Sequence, residues 1–366
     1  MEPGSVIKQP SLQLIKDDAL ALLQTLIRIP SLSKEEEHTA NAIEQFLKSK
    51  GVRTFRKKNN VWAFNAHYRP GLPGILLNSH HDTVKPNASY TRNPFLPEIQ
   101  DGKLFGLGSN DAGGALTALI ATFLYSYHSP SLPYNFILAV TAEEEISGAN
   151  GIASVYSDLG PVEFALVGEP TLMNLAIAEK GLLVLDCTVK GVSGHAAREE
   201  GENALYKAMD AMQWFRTFRF PKVSPWLGEM KMSVTVIQAG TQHNAVPDIC
   251  RFTVDVRLTE MYTQEEVLEI IRQHVTCEVN PRSMRLKPSS ISADHPIVKA
   301  GLALGRTTYG SPTTSDQALI PVQSLKIGPG DSARSHTADE FIYVSEIMEG
   351  IDIYIAMLQK IFNHNS

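Results

Sequence analysis

At 366 residues, with 43% hydrophobic and 20% charged side chains, the chain has ample material for a core and suits one large globular domain or two. A net charge of −6 and the lack of any Lys/Arg block argue against nucleic acid or an anionic membrane surface as a partner. No apolar run approaches the ~20 residues of a membrane-spanning helix, and Met1-Glu2-Pro3-Gly4 does not open a signal peptide. Cys187, Cys250 and Cys277 are odd in number and scattered, which fits a reducing cytoplasm.

Taken in chain order, residues 12–50 read as helical, from apolar positions such as Leu22, Leu23, Leu26, Ile43 and Leu47. Strand-like runs follow at Val61-Phe64 and Ile75-Leu77, then a helix from Ala115 to Tyr127, then strands at Phe136-Val140 and Phe164-Val167. This alternation predicts an α/β layer with a mixed or mostly parallel sheet. Near residue 180 the pattern changes. Leu182-Val189, Asn203-Phe218, Met232-Gln238, Cys250-Leu258, Gln264-Thr276 and Ser283-Leu286 read as β-α-β-β-α-β, the ferredoxin-like split unit. After residue 288 the α/β character returns, with a strand at Val322-Ile327 and a closing helix at Tyr343-Ile361. The expected organisation is a discontinuous domain, 1–179 and 289–366, with 180–288 inserted into it.

The strand exits carry the chemistry. Ile75-Leu77 runs into His80-His81-Asp82, where alternation puts His80 and Asp82 on one face and His81 on the other. A histidine so supported suits a metal, although a structural His-Asp hydrogen bond is at least as common. Asp111 lies in a glycine-rich loop that opens a helix, where an isolated Asp is ordinarily an N-cap. No Gly-Lys-Ser/Thr follows and the spacing fails the dinucleotide fingerprint, which disfavours nucleotide binding. Glu143-Glu144-Glu145 follow the Phe136-Val140 run; they are either a solvated acidic turn or carboxylates that need a cation. Phe164-Val167 exits into Gly168-Glu169-Pro170, and Val322-Ile327 leads on to Ser335-His336. Ligands of open α/β sheets gather at such ends. Oxygen and imidazole donors without thiolate suit zinc, cobalt or manganese.

Together Ser79-His80-His81-Asp82, Asn110-Asp111-Ala112-Gly113-Gly114, Thr141-Ala142-Glu143-Glu144-Glu145, Gly168-Glu169-Pro170-Thr171 and Ser335-His336 resemble the five metal-site motifs of the M20 metallopeptidases and deacylases. Within that family the chain looks most like the acetylornithine deacetylases. The resemblance implies a zinc-peptidase-like catalytic domain, with the inserted unit as a lid and dimerisation domain. It implies two divalent ions, zinc foremost, with Asp111 bridging, His80 and Glu169 completing one site, and Glu145 and His336 the other. Asp82 would orient His80, and Glu144 would be the general base. Glu143 stands where the family usually has Asp and is expected outside the catalytic set. In the insert, His195 would stabilise the oxyanion, and Asn244 and Arg257 would contact substrate. Thr314-Ser315-Asp316 and the Gly328-Pro329-Gly330 loop are expected to shape the pocket, or to be purely turns.

The activity so implied is hydrolysis of a small N-acylated amino acid, acetyl or succinyl, such as N-acetylornithine in arginine- or lysine-type biosynthesis, by a cytoplasmic homodimer. A metallo-dipeptidase or carboxypeptidase of the same family is the alternative. A non-catalytic amino-acid-binding protein ranks far below, since it would be expected to have lost Glu144 or a ligand.

Overall fold

A computed structural model of the chain describes residues 11–198 and 200–364, so the Met1-Gly4 segment lies outside the described residues. The chain divides into two compact units. One holds the residues up to Ile177, Ile291–Tyr309 and Ser315 onward; the other holds Ala178–Ser290 and Gly310–Thr314.

In the first unit, the central sheet runs in the order Thr54–Lys57, Asn60–Phe64, Asn135–Thr141, Gly74–His80, Val162–Val167, Ser324–Lys326, Leu175–Glu179. The four strands from Asn135–Thr141 to Ser324–Lys326 in that order are parallel. Their neighbours on either side pair antiparallel, which makes the sheet mixed. Every residue of Gly74–His80 and Asn135–Thr141 is buried, and this explains their unbroken apolar runs: both faces are covered. On one face Leu77, Leu138, Phe164 and Leu325 pack with Leu23, Phe123, Tyr354 and Leu358 from helices Leu12–Ile27, Gly114–Ser126 and Val344–His364. On the other, Leu76, Ile137 and Ala165 meet Ile152, Val155 and Ile320. Helix Gly114–Ser126 is buried almost all round, as its uncharged, Ala- and Leu-rich sequence requires.

Because the four central strands are parallel, their carboxyl ends share one edge. His80, Thr141, Val167 and Lys326 stand there, and the loops carrying the remaining candidate ligands leave from it.

The second unit has a four-stranded antiparallel sheet in the order Lys231–Ala239, Ile249–Leu258, Gly181–Lys190, Glu278–Pro281. Strand Gly181–Lys190 alternates buried and half-buried residues, so one face is dry. Helices Ala204–Thr217 and Gln264–His274 cover that face through Ala208, Phe215, Val267 and Ile271. Asn203 caps the first of these helices, and a Thr263–Glu266 capping box starts the second.

Three expected elements differ. The helical reading of 12–50 is interrupted between Ile27 and Glu37, where Pro30 cannot continue a helix. The strand read at Val322-Ile327 is shorter, Ser324–Lys326. The fourth strand of the second unit is Glu278–Pro281 rather than Ser283-Leu286. Its one deeply buried apolar residue is Val279, opposite Cys187, too little for periodicity to reveal. Among the described residues no helix is long and apolar enough to cross a membrane, and all three cysteines are free.

Candidate metal centre

His80 ends its strand 1% exposed. Its Nδ1 lies 3.0 Å from the Asp82 carbonyl, which can only accept, so Nδ1 carries the hydrogen. Nε2 is then the lone-pair nitrogen, and it is buried with no hydrogen-bond partner. Around it stand Asp111 Oδ1 at 3.4 Å, Glu169 Oε1 at 3.7 Å and Glu144 Oε2 at 3.9 Å. An orphaned imidazole nitrogen facing three carboxylates is a donor set that fits a divalent cation. Burial disfavours the imidazolium. The charge of Glu144 and the adjoining carboxylates of Asp111 and Asp82 outweigh that and hold the His80 pKa well above its ordinary value. The spot calls for positive charge, as a proton or a cation.

Asp111 faces both ways. Its Oδ1 points to His80, and its Oδ2 lies 3.6 Å from His336 Nε2. His336 Nε2 in turn is 3.1 Å from Glu145 Oε2. Two ligand triads result, His80–Asp111–Glu169 and Asp111–Glu145–His336, each with donor atoms within 4.8 Å of one another. Asp111 is not a helix cap: the N-cap of Gly114–Ser126 is Gly113, and it makes no side-chain cap bond. Burial would raise the Asp111 carboxyl, but the His80 imidazole beside it, with its positive charge when protonated, holds it below the usual range.

The glutamate turn is fixed by side-chain oxygens, one for each backbone N–H. Ala142 N–H donates to Asn60 Oδ1 at 3.0 Å and Glu143 N–H to Glu36 Oε1 at 3.2 Å. Glu144 N–H donates to Asp82 Oδ1 at 3.0 Å and Glu145 N–H to Asp82 Oδ2 at 3.1 Å. Asp82 therefore holds the turn as well as His80, and Ser33 Oγ donates to it at 2.7 Å. The three glutamates part company here. Glu143 is buried in a left-handed conformation and accepts from Asn150 N and Nδ2, at 3.1 and 2.8 Å. Glu145 joins the His336 triad. Glu144 belongs to neither triad; burial, then the charges of Glu169, Asp316 and Glu145, push its pKa well up against the opposing pull of His80. His81 turns away, with Nδ1 2.8 Å from Thr39 Oγ1 and Nε2 2.9 Å from the Asn59 carbonyl.

Several supports were not legible in sequence. Glu340, 2% exposed, accepts from the backbone N–H groups of Gly108, Asn110 and Asp111. Asn110 ties this loop to Asp331, accepting from its N–H and donating to its carbonyl, both at 3.0 Å. Glu36 and Asp316 are buried carboxylates near the same edge; burial lifts Asp316 to about 6 against its Thr141 hydrogen bond. The only sequence signal for Glu340 is an acidic pair, Asp339-Glu340, just before the short strand Phe341–Tyr343.

In the second unit, His195 is exposed on a short bridge that pairs Gly194–His195 with Ala245–Val246. The Ala196 N–H donates to the Asn244 carbonyl at 3.0 Å, which makes His195 and Asn244 neighbours. Ala197 N–H donates to His195 Nδ1 at 3.1 Å, so Nε2 carries the hydrogen and is a donor. Arg257 spends two of its guanidinium nitrogens on Asp255, at 2.8 and 3.0 Å. Its Nη1 points to Thr314 Oγ1, 3.5 Å away.

The profile of peptidase family M20/M25/M40 matches residues 76–360. The chain is similar to a succinyl-diaminopimelate desuccinylase of Caulobacter sp. (strain K31), 26% identical over 96% of this chain and 98% of the relative. It is also similar to an acetylornithine deacetylase of Myxococcus xanthus, 27% identical over 83% of each. Its fold resembles aminopeptidase PepT from Bacillus cereus ATCC 10987, with a TM-score of 0.74 at 16% identity over 94% of this chain and 98% of that one. A dinuclear metal-binding M20 peptidase from Bacillus subtilis gives a TM-score of 0.73 at 18% identity, over 95% and 98%.

Proposed function

The chain belongs to peptidase family M20/M25/M40, and we propose that within it the protein is a dinuclear metal-dependent deacylase of small N-acylated amino acids. The observation that carries this reading is Asp111, whose two oxygens face two different histidines and make it the shared member of both triads. His80, Asp111 and Glu169 would hold one divalent ion, zinc foremost, and Asp111, Glu145 and His336 the other. Such ions, when bound, polarise an amide carbonyl and lower the pKa of a shared water.

The protein's own groups do the proton work. Glu144, free of ligand duty and held by Asp82 through its backbone, takes a proton from the attacking water and delivers it to the leaving nitrogen. His195 is a donor at Nε2, because Ala197 occupies Nδ1, and it serves the oxyanion. Asn244 contacts substrate. Arg257 uses its remaining Nη1 toward the substrate carboxylate, since Asp255 takes the rest of the fork.

The acyl group is acetyl or succinyl, and the amino acid ornithine or a close relative. Both activities are named among the similar curated proteins. The free cysteines fit a reducing cytoplasm. Homodimerisation through the second unit is supported by its edge strand Lys231–Ala239, which exposes Val236 and Ile237, and by exposed Tyr206 and Met209 on helix Ala204–Thr217.

The test is a hydrolysis panel on zinc-reconstituted protein: acetyl- and succinyl-ornithine, acetylcitrulline, acetyllysine, succinyl-diaminopimelate and a few dipeptides. Turnover of an N-acyl amino acid above every dipeptide is expected. Turnover of dipeptides alone replaces this reading with a metallo-dipeptidase.

A further inference from the structure

We propose that Asp316 is a positioning residue for the metal centre. Acting through Thr141 and Asn78, it locks together the ends of the two parallel strands that deliver His80 and the glutamate turn. The proposal rests on reading this site as a metal centre with Glu144 as its base.

Asp316 opens the short turn Asp316–Leu319 and is 3% exposed. Its Oδ2 accepts from the Thr141 hydroxyl at 2.6 Å. That hydroxyl accepts in turn from Asn78 Nδ2 at 2.9 Å, and Asn78 Nδ2 also reaches the Ala139 carbonyl at 3.2 Å. Thr141 is the lateral partner of His80 across the parallel pair, and Asn78 that of Ala139. Asn78 and His80 stand two apart on one strand, so both side chains lie on the same face. Thr141, Asn78 and His80 are each no more than 1% exposed, so water does not supply these bonds.

Asp316 belongs to neither ligand triad. A buried carboxylate is costly beside an apolar residue of similar size. What it supplies is an acceptor at the one point where the glutamate turn leaves its strand. From Ala142 to Glu145, side-chain oxygens of Asn60, Glu36 and Asp82 hold each backbone N–H. At Thr141, the residue before them, the carbonyl accepts from the His81 N–H at 3.0 Å and the hydroxyl lies 3.3 Å from the Ser79 carbonyl; the side chain adds the tether to Asp316. Without it, the backbone ladder still pairs Thr141 with the His80 strand, but the Thr141 side chain loses its charged acceptor, and the root of the Glu144 turn is held less firmly.

The experiment compares Asp316→Ala and Thr141→Val with the bond-preserving Asp316→Asn and Thr141→Ser, all in the full-length protein. Zinc affinity is read by chelator competition, and kcat and KM on the best panel substrate. Asp316→Ala and Thr141→Val should weaken one zinc site by about 10-fold or more and lower kcat by about 10–100-fold. KM should stay within about threefold, and the bond-preserving variants should return both readouts to within about threefold. Unchanged zinc affinity in Asp316→Ala and Thr141→Val overturns the proposal, as does failure of the bond-preserving pair to recover it. Thr141→Val nearly matches the native volume, so the threonine pair decides the matter if Asp316→Ala does not fold. Zinc affinity is read without substrate, so a panel that hydrolyses nothing sinks the deacylase reading and leaves this comparison standing.

Discussion

Glu340 grips Asp111 through the backbone: its Oε1 accepts the Asp111 N–H at 3.0 Å, while the Asp111 side chain is left to face the two histidines. The same oxygen takes the Asn110 N–H at 2.8 Å, and Oε2 takes Gly108 N–H at 3.1 Å. One buried carboxylate thus shapes the loop that presents Asp111. Burial, with the charge of Asp111, lifts its pKa to about 8 despite those three bonds.

Replacing Glu340 by Ala should therefore damage metal binding although none of the candidate ligands changes. Removing both oxygens leaves the buried N–H groups of Gly108, Asn110 and Asp111 without their acceptor. Zinc affinity should fall by about 10–100-fold in chelator competition. A variant that binds zinc within twofold of wild type would show that the loop holds its shape without Glu340.

The metal-free protein should lose stability as pH rises. Glu340 sits at about 8 in the fold against an ordinary 4.5, so between those values the folded state binds the extra proton. Stability falls as pH climbs through that window. His336 adds the same sign. Its hydrogen bond to Glu145 raises its pKa from 6.5 to about 9, and the stability gained from the charged ring disappears as pH passes through that value. We expect the melting temperature without metal to be lower at pH 9 than at pH 6 by a few degrees, about what 1 kcal/mol costs a protein of this kind. Zinc should raise it more at pH 9, because ligands bind as their deprotonated forms. An apo protein equally stable at both pH values contradicts these shifts.

The two triads predict distinct metal stoichiometries. His80→Ala and His336→Ala should each retain one zinc, whereas Asp111→Ala should lose both, because both triads contain it. Elemental analysis after dialysis checks this. Retention of two ions by Asp111→Ala would rule out a shared bridge.

Glu144→Gln separates the base from the ligands. It should keep both zincs and a KM near that of wild type, while kcat drops by about 10²–10⁴-fold, the usual worth of a positioned general base. Loss of a zinc in this variant would place Glu144 among the ligands instead.

Most of the central sheet was legible because its strands are buried on both faces and read as unbroken apolar runs, Phe136-Val140 being the clearest. What sequence could not give were short or half-exposed strands. Thr54–Lys57 is nowhere fully buried, and Glu98–Gln100 is exposed throughout, so neither has a hydrophobic pattern to see. At the site, candidate ligands that follow strands directly, such as His80 and Glu169, stand out by position. Glu340 and Glu36 do not. Each meets its partners from far along the chain, Glu340 over more than 200 residues and Glu36 over 107, and neither shares a local motif with them. Glu143 shows the same limit. Its place in the triple suggested a role outside the catalytic set, but its work inside the fold, bonding Asn150, depends on a loop geometry that only the folded chain displays.

That loop yields the last prediction. Gly148 N–H donates to the Glu143 carbonyl at 2.7 Å, and a Cβ on Gly148 would lie 2.0 Å from Glu143 Oε2 and 2.4 Å from its Cβ. The carboxylate fills the space an alanine methyl would need. Gly148→Ala must push Glu143 off Asn150, at a cost of about 1–3 kcal/mol from overpacking and lost hydrogen bonds. Glu143→Ala alone also destabilises, since it leaves Asn150 N–H without its acceptor. The two changes share one cost, so the double variant should be more stable than the sum of the singles implies, by about 1 kcal/mol in a double-mutant cycle. Strict additivity in denaturant unfolding would mean that Gly148 is glycine for some reason other than the Glu143 side chain.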